Sequence, residues 1–251
     1  MYAIVIVLIV VLILAGIAAS ALQQHKERKE TELRDEIARQ KSIIDETESA
    51  ITLAGQMPVS QQLVSILHRR VLNALKQNLD NNPTADLKQR VADTTSMLKN
   101  IDITEPAPDQ STFKLPSSDK VIIKYIQAIK KLRVILRSEQ AKGNISPKVF
   151  ASEDKSLERL QLRVNVETLG KRANDALQSN MQGSARQYVE KAVAALKNQK
   201  PQDEYTTKRI TEFEQMLGGL EDSLAKTNQK NIEVNPDKGD IDALFAPKKK
   251  W

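Results

Sequence analysis

The chain has 251 residues, of which 40% are hydrophobic and 28% charged, with a formal net charge of +6 and no cysteine. Twenty of the first 22 residues are hydrophobic, so the remainder is thin in core-forming side chains, and aromatics are few (1 Trp, 4 Tyr, 4 Phe). That balance, rich in Ala, Leu, Lys, Gln and Glu, suits long helices and argues against a large β-sandwich or a doubly wound α/β fold. The missing cysteine excludes disulfides, thiolate zinc sites, iron–sulfur clusters and thiol catalysis. Two histidines, His25 and His68, exclude a His-rich metal centre.

Tyr2 to Leu22 is a run of 21 residues without a charge. As a helix it would measure about 31 Å, the thickness of a bilayer hydrocarbon core. A cleaved signal peptide would carry a basic leading region and a shorter apolar stretch, so a retained transmembrane anchor is expected, although Ala19-Ser20-Ala21 resembles a cleavage site. Lys26, Arg28 and Lys29, followed by Arg34, Arg39 and Lys41, come directly after the run. They predict a cytoplasmic location for the bulk of the chain, with the first three also placed to meet anionic headgroups.

No Pro or Gly occurs between Ile17 and Ala54, so the first helix should continue far beyond the apolar run. Leu33, Ile37, Ile44 and Ile51 form a narrow seam on it, suited either to a coiled coil with a second copy or to docking on the chain's own bundle. Gly55 to Pro58 ends it. A second helix is predicted over 58–80, with Leu63, Ile66, Leu67, Val71, Leu75 and Leu79 on one face. Asn82-Pro83 should cap and open a third, striped by Leu87, Val91 and Leu98. Residues 101–117, with three prolines, read as a long loop.

A fourth helix, from Ser118-Asp119 to Lys142-Gly143, is strongly apolar (Val121, Ile122, Tyr125, Ile126, Ile129, Leu132, Ile135, Leu136) and should centre the core. A fifth runs from Ser146-Pro147 to about Ser179, and a sixth from Gly183 to near Pro201. A seventh spans 203–227, with Ile210, Phe213, Leu217, Leu220 and Leu224 inward and Gly218-Gly219 weakening its middle. Ala74, Pro83 and Arg90 recur as Ala195, Pro201 and Arg209, which are 121, 118 and 119 residues further on. Two helical halves would produce that recurrence, and chance between Ala/Leu/Lys-rich helices would too. Ala173 to Pro201 resembles a tetratricopeptide unit in its small residues, its Gly at the turn and its closing Pro. The resemblance implies antiparallel helix pairs.

No Gly-rich phosphate loop is present, and no Ser, His and carboxylate motif suggests a triad. His68-Arg69-Arg70 reads as a solvated basic face of the second helix, and the interleaved carboxylates as solvated helix surface. Lys130-Lys131, Arg133 and Arg137 make a basic strip on the fourth helix. Without a recognisable module or interleaved aromatics it gives nucleic acid little support. No enzyme, metal or cofactor is expected.

The chain closes with a polar stretch from Thr227, expected to be disordered, and then an unexpected apolar cluster. Ile241, Leu244 and Phe245 have the spacing that one helical turn gathers on one face, with Asp240 and Asp242 at the end where the helix dipole favours acids. Asp240-Ile241-Asp242-Ala243-Leu244-Phe245 resembles the peptide of the flagellar motor switch protein that docks on the phosphorylated chemotaxis response regulator. The resemblance covers six residues. It implies Ile241, Leu244 and Phe245 as apolar anchors and Asp240 and Asp242 as contacts to a basic receiver face. Another partner, or the chain's own bundle, would also accept such a peptide. Lys248, Lys249, Lys250 and Trp251 suit an anionic membrane surface with the indole at headgroup level.

The sequence therefore predicts an all-α, single-pass protein of the bacterial inner membrane. Residues 1–22 form a transmembrane anchor and 23–55 a charged juxtamembrane helix. Residues 56–226 form a cytoplasmic antiparallel helical bundle, and 227–251 a tail with a peptide motif. The expected function is a non-enzymatic adaptor or scaffold that brings a cytoplasmic protein, such as a response-regulator receiver, to the lipid bilayer. A structural coiled-coil-type envelope or division-associated protein is the alternative.

Overall fold

The computed structural model describes residues 2–105, 108 and 113–234, excepting the side chains of 2–19, 21, 22 and 224–234. Its elements are α1 (Tyr2–Ala54), α2 (Gln61–Asn81), α3 (Ala85–Asn100), α4 (Asp119–Ala141), α5 (Pro147–Gln178), α6 (Gln182–Lys197) and α7 (Glu204–Val234). No strand occurs among the described residues, so the all-α expectation holds. Also among them, no helix is long and apolar enough to cross a membrane. The side chains of the expected anchor lie almost wholly outside the described residues.

The chain divides into two compact units. The first comprises residues 1–108 and 131–153, and the second 109–130 and 154–251. In the first unit α1 packs on α2 and α2 on α3. Ile44 of α1 is buried with Val71, Ala74 and Leu75 of α2, and Leu87 and Val91 of α3 pack against that cluster. The expected seam on α1 thus docks on its own bundle from Ile37 onward. Leu33 stands exposed, Ile37 and Ile51 are half-buried and Ile44 is buried. Every residue from Gln23 to Asp35 is exposed, so α1 leaves the bundle as a bare charged stalk about 20 Å long.

Ser60 caps α2, its hydroxyl accepting from Leu63 N. The cap of α3 is Thr84, accepting from Leu87 N, and not the expected Asn82. Pro83 supplies no N–H in either case, and the shorter hydroxyl two residues later reaches the orphan donor. α3 is the loosest element of this unit: Thr94 is its only buried residue, while Leu87, Val91 and Leu98 are half-buried. α4 ends in a Schellman motif. Gly143 takes a positive φ of 75°, its N–H donates to Gln140 O, and Asn144 N donates to Glu139 O at 3.0 Å.

In the second unit α6 packs on α7. Val166 and Ala173 of α5, Val189, Ala192, Val193 and Leu196 of α6, and Phe213 of α7 form one buried cluster. Ala176, Ala185 and Leu220 form another. α5 is enclosed over much of its length, because Leu160, Arg163, Val164, Val166 and Gly170 are all buried. Its close approach to α7 depends on Gly170, where an added Cβ would lie 3.1 Å from the Phe213 ring and 3.4 Å from Arg209 Nη2. Gly218-Gly219 does not interrupt α7. Both residues are exposed, where each glycine costs about 1 kcal/mol of helix propensity without removing a packed contact. The backbone of α7 runs on past Thr227 to Val234, further than the stripe predicted.

Candidate functional site

The tail residues singled out by the sequence, Asp240, Ile241, Asp242, Leu244, Phe245, Lys248, Lys249, Lys250 and Trp251, lie outside the described residues. Lys26, Arg28 and Lys29 are on the stalk, exposed, and free of salt bridges among the described contacts. A continuous helix thus presents them four to seven residues beyond the end of the apolar run at Leu22.

Sequence reasoning mistook one cation. His68-Arg69-Arg70 was expected to be a solvated face, but only Arg69 is exposed. His68 is half-buried and Arg70 is buried. Arg70 follows Ile66 and Leu67 by one helical turn, so it falls on the apolar side of α2. Its Nη1 donates to Glu139 Oε1 at 2.8 Å and its Nε to Thr47 Oγ1 at 3.1 Å, and Glu46 lies 3.6 Å from Nη2. Asn144 Nδ2 donates to the other Glu139 oxygen at 2.6 Å. One guanidinium thereby ties α2 to α1 and to the end of α4. His68 lines a small cleft with Glu48, Arg90 and Thr94. Burial lowers its pKa, with Glu48 opposing, which favours a neutral ring rather than a surface cation.

A second buried polar contact joins Ser60 to α5. The Ser60 hydroxyl donates to Glu153 Oε2 at 2.6 Å while also capping α2. Burial raises the Glu153 pKa, and the Ser60 hydrogen bond only partly offsets it.

The second unit carries its own network between α5 and α7. Tyr205 Oη donates to Glu167 Oε1 at 2.8 Å, and Arg209 Nη2 to Glu167 Oε2 at 2.7 Å. Arg209 Nη1 binds Glu212 at 2.5 Å, and the Arg209 guanidinium lies over the Phe213 ring at 4.6 Å. Arg163 stacks on Tyr205 at 3.8 Å. Burial, followed by the Glu167 charge, pushes the Tyr205 hydroxyl well above its ordinary range. An open cavity of about 480 Å³ adjoins this network, floored by Gly170, Phe213 and Met216 and edged by Leu115, Pro116 and Lys171. Lys171 donates to Ser117 O and to Asp119, and the latter bond lowers the Asp119 pKa. The carboxylates of Glu167 and Glu212 are each bound to a cation, so the network's evident work is to hold two helices at close range.

The basic strip on α4 does not form one free surface. Lys130 and Arg137 are exposed, but Lys131 is half-buried and pairs with Glu46 at 3.7 Å. Among the described residues no three His, Cys, Asp or Glu side chains converge to hold a metal ion. Neither protein-family models, nor curated proteins, nor solved structures give a match to the chain.

Proposed function

We propose that this chain is a membrane-anchored, non-enzymatic adaptor whose helical units stand off the bilayer on a rigid stalk and whose tail captures a cytoplasmic protein. The supporting observation is the continuity of α1. The uncharged run Tyr2–Leu22 and the exposed, charged stretch 23–35 belong to one 53-residue helix. In water an uncharged apolar run of 21 residues would be poorly accommodated. A bilayer supplies the missing surroundings for the apolar part. Lys26, Arg28, Lys29 and Arg34 follow that run, on the side that the positive-inside rule assigns to the cytoplasm. Within each unit the packed pairs, α1–α2 and α2–α3 in the first and α6–α7 in the second, are joined by short connections, as in the antiparallel helix pairs of tetratricopeptide units.

In this reading the tail motif recruits a receiver of the response-regulator class. Ile241, Leu244 and Phe245 are the anchors and Asp240 and Asp242 the acidic contacts, with affinity on the order of micromolar, roughly −8 kcal/mol. Fractionation tests the anchor: the full chain should sediment with membranes and a variant lacking residues 2–22 should be released. A carboxy-terminal alkaline phosphatase fusion should be inactive and a green fluorescent fusion bright. Strong phosphatase activity would overturn the topology and with it the cytoplasmic partner. Deleting residues 239–251 should abolish recruitment while leaving sedimentation unchanged.

A further inference from the structure

We infer that the first unit carries a binding site for a small polyanion of the phosphate class, in the open cleft where α1, α2 and the end of α4 meet. The cleft measures about 640 Å³, within the roughly 300–1,000 Å³ typical of small-molecule sites. Four cations line it from two helices and a loop: Arg39 of α1, Arg70 and Lys76 of α2, and Lys142 just after α4. Only two carboxylates share the lining, Glu36 and Glu139, and both are already engaged. Glu139 holds Arg70 and Asn144 at 2.8 and 2.6 Å, and Glu36 accepts from Gln40 at 2.6 Å.

What remains unneutralised is positive. Lys142 lies 3.6 Å from a Glu139 oxygen that Arg70 already occupies, and Arg39 lies 3.7 Å from Glu36. Lys76 has no salt bridge among the described contacts. The side-chain amides of Asn73 and Gln77, one turn apart on α2 and exposed at the cleft, likewise have no hydrogen bond there. Three cations and two free amides around a recess form a donor set for phosphate oxygens. The Arg70–Glu139 pair beneath fixes the floor, so the cations are presented from a rigid base.

The ligand's phosphate could come from solution or from a lipid headgroup. Glu36 follows Leu22 by 14 residues on one helix, about 21 Å of rise. That separation favours a soluble phosphate over a headgroup.

Thermal unfolding of the full chain in mild detergent tests the site, with inorganic pyrophosphate as probe and sodium chloride at matched ionic strength as control. A saturable rise in the unfolding temperature is expected with pyrophosphate only. Lys76→Glu with Lys142→Glu should weaken it at least tenfold. Both positions are exposed, so the fold should survive. Lys88→Glu, an exposed reversal on α3, should leave the response unchanged. No rise, a rise matched by sodium chloride, or one undiminished in the Lys76/Lys142 variant overturns the inference. In phosphatidylcholine nanodiscs the pyrophosphate response should persist. If replacing that lipid with phosphatidylglycerol suppresses it, headgroups fill the same phosphate site.

Discussion

Arg70 offers the sharpest test of how the first unit is held together. Its guanidinium and the Glu139 carboxylate are only 9% and 4% exposed and 2.8 Å apart. Replacing Arg70 with Met keeps an apolar stem of similar length but leaves Glu139 buried without its countercharge. Removing one partner of a buried pair typically costs about 3–5 kcal/mol, most of it the penalty for the stranded charge. Asn144 at 2.6 Å and Lys142 at 3.6 Å still face Glu139, which places the expected loss near the lower end, about 3 kcal/mol. Thr47 loses its guanidinium donor but still donates to Ile43 O at 2.6 Å, so it adds little.

The double variant Arg70→Met with Glu139→Leu removes both charges and should recover much of that loss. The two sites would then show a coupling of about 2 kcal/mol in a double-mutant cycle. Urea unfolding of the full chain in mild detergent, followed by far-ultraviolet circular dichroism, measures each step. A loss below about 1 kcal/mol for Arg70→Met, or a double variant no more stable than the single, would show that the pair is not an energetic unit.

Other consequences follow from the same packing. Glu153 has a raised pKa in the folded state, so its protonation favours the fold at low pH, and that contribution is lost as pH rises through the folded pKa. Glu153→Gln should therefore be more stable than the parent at neutral pH, with the advantage shrinking toward zero below about pH 4, where the carboxyl is protonated in both states. A parent that gains on the variant as pH rises would refute this. Gly170→Ala should destabilise the second unit despite a propensity gain of about 1 kcal/mol, because the new methyl meets a buried Phe213 ring at 3.1 Å; a higher unfolding temperature would show that the ring yields. Ile129→Ala, at a fully buried site on α4, should cost about 2–5 kcal/mol by the same urea assay. Phe245→Ala should weaken receiver binding by about 2 kcal/mol if its ring is a buried anchor, as peptide titration against phosphorylated receivers would report.

Helix identity was legible because it rests on periodicity. The stripe on α4 predicted burial at Val121, Ile122, Tyr125, Ile126, Ile129, Leu132, Ile135 and Leu136; six of the eight are buried, while Val121 and Ile126 are half-buried. Cap identity was less so. Asn82-Pro83 has the composition of a helix start, yet Thr84 makes the cap bond, because several hydroxyl and amide side chains compete within three residues. The division into two units left a mark at one of its three points, directly after Pro108 in the proline-bearing stretch 101–117, and none at the other two. α4 and α5 each contribute residues to both units without a Gly or Pro at the division, so no punctuation occurs at the two points where contacts change hands within a helix.

The polar networks mark the deeper limit. Arg70 could have been suspected, because it interrupts the run Leu63, Ile66, Leu67, Val71 at a position where the stripe calls for an apolar residue. Its partners could not, since Glu139 lies 69 positions away among 32 carboxylates that look alike in sequence. The same holds for Glu153 and Ser60, 93 positions apart, and for Glu167 with Tyr205 and Arg209. A helical pattern carries a residue's face but not the register of one helix against another, and it is that register which decides which carboxylate meets which cation. The tail motif is the opposite case. Its signal is wholly local, one turn of three apolar residues beside two acids, so sequence alone can propose the contact. Only a partner, measured directly, can give it an address.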